Sequence, residues 1–158
     1  MAGRAELHRD FAVQFHAGKR LRPATEAHVT DAEAALGVVW PESYRQFALA
    51  YGAVYSPAIL RLVVDHKSDF SDVQQFLTPK QSVTETRRWR LEPQGGCVAI
   101  ASDCSGSFFA FRHLPEAAPR PDDAAVWLYD YEAGTVEMEA ASFDEWLGRF
   151  LAIQNPRV

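Results

Sequence analysis

The segment SFDEWLGRFL at residues 142–151 limits the folds open to this chain more than any other stretch. Phe143, Trp146, Leu147, Phe150 and Leu151 recur at i, i+3, i+4, i+7 and i+8, so one face of a helix carries three aromatic rings and two leucines. Ser142 followed by Glu145 spells a capping box, which fixes where that helix begins. An apolar stripe this wide must be covered by another layer of secondary structure.

Two pairs of short apolar runs offer that layer. CVAIAS and SFFAFR are separated by DCSG, and AAVWLYDY and TVEMEA by EAG, so each pair reads as a hairpin; the proline-rich HLPEAAPRPDD between them is a loop. Strand alternation places Trp127, Tyr129 and Tyr131 on one face and Leu128 and Asp130 on the other. AILRLVVD at residues 58–65 is apolar and β-branched, and a further strand is expected there.

Upstream the period changes. Leu7, Phe11 and Phe15 share a helix face that Gly18 and Pro23 bring to a close. Thr25 caps a second helix bearing Val29, Ala32 and Leu36, with Gly37 at its left-handed end. Pro41 suits the first position of a third, whose buried stripe is Tyr44, Phe47, Ala48 and Tyr51 and whose end is Gly52. TPKQSVTETRRWRL, from Thr78, reads as a mostly exposed helix. The expected architecture is α+β: a largely antiparallel sheet of about five to six strands packed with N-terminal and C-terminal helices. With 158 residues and neither repeat nor linker, the chain is expected to form one domain, burying roughly 70% of its unfolded surface.

Several function classes are disfavoured. A formal net charge of -5 does not suit a phosphate-backbone binder. The arginines of RRWR at residues 87–90 read as a solvated helix face, so no nucleic-acid partner is expected. Charged residues interrupt every apolar run near the N-terminus, so no membrane segment is expected, and a cytoplasmic location is inferred. His8, His16, His28, His66 and His113 form no HxxxH or HxH pair, and QGG at residues 94–96 is too short to cradle a phosphate; neither metal nor cofactor is expected. Two cysteines, Cys97 and Cys104, are too few for a disulfide framework.

Asp103, Cys104, Ser105 and Ser107 crowd around Gly106 and invite a catalytic reading. A nucleophile needs a base within hydrogen-bond reach, and His113, at the far end of a strand rising about 3.3 Å per residue, is roughly 20 Å away. The expected role is a turn: Asp103 accepts backbone N–H groups and Gly106 takes the positive φ. No catalytic residue is assigned.

The order of these motifs resembles the SUKH superfamily. EAALGVVWPESYRQFALAYGA matches its opening pattern at Glu33, Leu36, Gly37, Trp40, Pro41, Tyr44, Phe47 and Gly52. VAIASDCSGSFFAF is similar to its strand, Asp-x-x-Gly turn and aromatic strand, and VWLYDYEAGTVEMEAASFDEWLGRFL to its closing hairpin and helix. The similarity covers about residues 25–152, leaving residues 1–22 as an additional N-terminal helix. The resemblance implies an α+β fold without common catalytic residues. It also implies a bacterial immunity protein that binds and blocks a cognate toxin, or alternatively a non-toxin regulatory or scaffold module like the yeast cell-wall synthesis regulator.

Two loops carry the expected partner contacts. DHKSDFSD offers Asp69, Phe70 and Asp72, and YDYE offers Asp130, Tyr131 and Glu132. Carboxylates beside aromatic rings combine steering charge with packing anchors, and a basic toxin such as a nuclease would complement them.

Overall fold

The structure, a computed structural model, describes residues 3–154. Four helices come first: α1 (Arg4–Phe15), α2 (Glu26–Leu36), α3 (Glu42–Ala50) and α4 (Ala58–Asp65). A short strand β1 (Gln75–Phe76) leads to α5 (Pro79–Trp89), then to β2 (Val98–Ser102), β3 (Phe108–Phe111), β4 (Val126–Asp130) and β5 (Thr135–Ala140), and α6 (Phe143–Gln154) closes the fold. All neighbouring strands are antiparallel in the order β1-β2-β3-β4-β5, so β1 and β5 are the rims of the sheet. The α+β expectation holds, with five strands.

The expected strand at residues 58–65 is instead α4. Its apolar residues have the composition of a strand but the spacing of a helix: Ile59, Leu62 and Val63 turn to one side, with Ile59 and Val63 buried, while Val64 faces solvent. Arg61 Nε lies 3.6 Å from Asp65 Oδ2 one turn on, a pairing the helix permits and a strand does not. Pro57 occupies the position just before the helix, where the lack of an N–H costs nothing.

One face of the sheet meets the helices. Val98, Ile100, Phe109, Phe111 and Val126 join Phe11, Phe47, Phe143, Trp146 and Phe150 in the main core. The rings meet edge-on or tilted, as in Phe11 against Phe76 at 5.7 Å and Phe109 against Trp146 at 4.8 Å. The other face carries a smaller layer of Cys97, Ala110 and Tyr129, flanked by Trp127 and by Leu91 from the segment after α5. Leu128 packs toward the main core, so the alternation along β4 runs as expected.

Long-range polar contacts fix the helices. Thr25 caps α2 and Thr78 caps α5, each with a reciprocal bond from the third helical residue, His28 and Gln81. Gly37 adopts φ 65°, closing α2 in the left-handed conformation. Pro41 sits one position earlier than expected, at the cap of α3. Glu33 Oε2 accepts from Trp40 N at 2.7 Å and from Arg120 Nη1 at 2.7 Å, while Arg120 also donates to Trp40 O at 2.9 Å. That carboxylate ties the α2–α3 link to the proline-rich loop.

Candidate partner-binding surface

The two acidic loops lie at opposite ends of one rim strand, β5. The β4–β5 turn follows Asp130, whose Oδ1 accepts from Ala133 N at 3.0 Å while Gly134 N donates to Asp130 O at 2.9 Å. Tyr131 N donates to Ser107 Oγ at 3.2 Å, which anchors this turn to the β2–β3 turn. The Tyr131 ring is 67% exposed, and Glu132 beside it is also exposed.

At the other end of β5, Ser71 N donates to Glu139 Oε1 at 3.2 Å, and Arg149 Nη1 of α6 lies 3.8 Å from the same oxygen. The Arg149 guanidinium covers the Phe70 ring at 4.9 Å, and Phe70 meets Phe150 edge-on at 5.5 Å. Phe70 is therefore a partly buried anchor for its own loop, and Asp69 beside it stays exposed. Six residues of β5 separate the loops by roughly 20 Å.

Asp72 departs from expectation. It is buried, 6% exposed, because neighbouring Val73 is drawn fully into the core. Burial pushes its carboxyl above the ordinary carboxylate range; the negative Asp103 adds to this, and the adjacent Cys104 thiol offsets part of it. A group so placed offers nothing to a partner surface.

The strand between the loops was not singled out in the sequence. Val136 and Met138 of β5 are 40% and 54% exposed and pair in register with Tyr129 and Trp127. Glu137 pairs with Leu128 and points to the opposite face. The usable signal is the alternation in TVEMEA, which puts acids on one parity and apolar residues on the other without a core face. Trp89 was also missed. Its ring meets Tyr131 at 5.2 Å and Phe108 at 6.2 Å, so the end of α5 extends the aromatic patch. Among the described residues, Asp69, Asp130, Glu132 and Glu137 take part in no ion pair, whereas Glu92, Glu33 and Glu139 do.

The remaining candidates are structural. Asp103 Oδ1 accepts from Ser105 N, Ser105 Oγ and Ser107 N, each at 2.9 Å, and Gly106 has φ 92°: this is a strand-to-strand turn. Cys97 is buried, and burial pushes its thiol up to about 12, the opposite of activation. Arg87 of the RRWR stretch donates to Ala35 O at 2.8 Å, closing the end of α2. A groove of about 610 Å³ lies between α2 and α5, but its imidazole, His28, has Nδ1 engaged by Thr25 N at 3.2 Å. Among the described residues no three His, Cys, Asp or Glu side chains cluster to hold a metal ion, and no helix is long and apolar enough to cross a membrane.

The family model of the SMI1 / KNR4 family (SUKH-1) matches residues 23–149, most of the chain. This chain belongs to the SMI1/KNR4 (SUKH-1) family. Comparison with individual curated proteins gives no match. The matched span holds α2 to β5 and the start of α6, so both SUKH-1 loops and the strand between them lie inside it, while α1 lies outside.

Proposed function

We propose that this SUKH-1 chain is an immunity protein, which neutralises a cognate bacterial toxin by binding it and occluding its active site, with no catalysis of its own. The observation that carries this reading is the rim of ion-pair-free carboxylates, exposed at Asp69, Glu132 and Glu137 and half-buried at Asp130, interleaved with exposed Tyr131, Val136 and Met138. Such a rim attracts a basic protein over a distance of about one Debye length, ~8 Å at physiological salt, and the apolar groups hold it after contact. A basic nuclease toxin has the complementary charge. Phe70 supports the surface from beneath.

The test is co-expression with any toxin encoded beside its gene. Cells carrying the wild-type chain survive. Asp69→Lys with Glu132→Lys, both at exposed positions, lowers the association rate on the order of tenfold at low salt and weakens rescue. A chain that binds another protein but never rescues refutes neutralisation and places it with the regulatory modules.

A further inference from the structure

We propose that the outer edge of β5 accepts an extended segment of the partner as an added strand, and that this segment alternates apolar and basic side chains. The proposal rests on the reading that this rim meets a polypeptide, and names the form and chemistry of what docks there.

The backbone supplies the first argument. A rim strand presents a row of N–H and C=O groups to solvent, a template for strand addition. The two rims differ. β1 has two residues, Gln75 is bridged by Tyr55, and beyond β1 the rest of β2 is met by α5, with Thr86 Oγ1 accepting from Ala99 N at 2.9 Å. β5 has six residues, and among the described residues none pairs with its outer side. Proteins commonly blunt such rims with lysine, proline or a bulge. β5 contains neither lysine nor proline, and the register irregularity lies at its far end, opposite Val126/Trp127. Thr135–Met138 therefore stay in regular register with Trp127–Asp130.

Side chains define the occupant. On one face Val136 and Met138 continue the rows begun by Tyr129 and Trp127, so an incoming strand needs apolar residues at alternate positions to extend them. On the other face Glu137 has no cation, and Glu139 beyond it is already paired with Arg149, so the incoming position beside Glu137 calls for Lys or Arg. Asp69 and Glu132 flank the two ends and repeat that preference. A second copy of this chain fits poorly. Two-fold pairing centred on Glu137 or Met138 sets Glu137 against Glu137 or Glu139, and like charges directly opposite are destabilising. The charge pattern thus disfavours self-pairing in these registers and admits a basic strand.

The experiment uses the full chain, isotope-labelled, titrated with an alternating Lys–Val octapeptide. Controls are a Glu–Val octapeptide and a Lys–Val octapeptide N-methylated to remove its strand-forming donors. The expected result is saturable binding by about 1 mM, amide shifts centred on Thr135–Ala140 and Trp127–Tyr129, and slowed exchange of β5 amides. The Glu–Val and N-methylated peptides bind at least about tenfold more weakly, and Glu137→Lys weakens the Lys–Val peptide about tenfold while leaving the unbound spectrum folded. No saturable binding by that concentration, shifts centred on the α2–α5 groove, equal affinity for either control, or β5-mediated dimers of the chain overturns the proposal. Loss of toxin rescue with strand binding intact refutes neutralisation alone. Rescue by a Glu137→Lys chain that no longer binds the peptide refutes strand addition alone.

Discussion

His8 Nε2 stands 2.7 Å from Asp144 Oδ1, and Arg4 Nε donates to Asp144 Oδ2 at 2.6 Å, so one carboxylate at the start of α6 holds two side chains of α1. Arg4 also reaches Asp122 through Nη1 at 3.0 Å and Nη2 at 2.8 Å. The helix outside the family-matched span is thereby bolted to the helix that closes the fold, above the contact of Phe11 with Phe150 at 6.3 Å.

Asp144→Asn should make this visible in acid. Burial alone would raise the Asp144 carboxyl, but the His8 and Arg4 hydrogen bonds outweigh it and hold the group below its ordinary range. A carboxyl depressed in the folded state contributes stability that is complete above its unfolded value, about 3.9, and is lost as pH falls through the lower folded value. Urea unfolding should show the variant less stable by about 2 kcal/mol at pH 7, with the two proteins converging toward pH 2. Parallel curves at all pH values would contradict the pairing.

Asp72→Asn should act in the opposite sense. The folded carboxyl is raised, so its contribution is fully present below the unfolded value and is lost as pH rises through the folded one. At neutral pH the wild type holds a buried charge whose Oδ2 has no hydrogen-bond partner. The neutral amide should stabilise the protein by about 1 kcal/mol at pH 7 and by nothing near pH 3, measured by the same unfolding series.

Gly52→Ala should be costly where Gly106→Ala is mild. Both residues have positive φ, 72° and 92°. A Cβ on Gly52 would lie 2.1 Å from Arg22 O, whereas one on Gly106 meets nothing within 4 Å. Thermal melting should show a loss of roughly 3 kcal/mol, about 10 °C, for the first, and about 1 kcal/mol for the second.

Asp103→Ala should destabilise the β2–β3 turn by about 1–2 kcal/mol, since it removes the acceptor of all three 2.9 Å bonds there. Cys104→Ala and Ser105→Ala should leave toxin rescue unchanged. Loss of rescue in a stably folded Cys104→Ala protein would reopen a chemical role for the turn.

Much of the architecture was legible because its causes are local. The Phe143 to Leu151 stripe, the Thr25 and Thr78 caps, Gly37 and the Asp103 turn each depend on residues within a few positions of one another. Residues 58–65 misled because β-branched composition and helical spacing pointed different ways, and burial of Ile59 and Val63 on one side decided for the helix. β1, at two residues, is too short to leave a pattern.

Taken alone, the amino-acid order determined the antiparallel hairpins, the covering helices, the family and the presence of acidic and aromatic loops. Tertiary structure alone decided which carboxylates meet solvent: Asp72 is drawn inward behind Val73, while Asp69 and Glu132 are left at the two ends of β5. It also decided that β5 is a rim and that Ser71 comes to Glu139, 68 positions along the chain. Periodicity and capping report forces acting across one turn or one strand, whereas exposure of a charge or an edge is set by whatever distant segment packs against it.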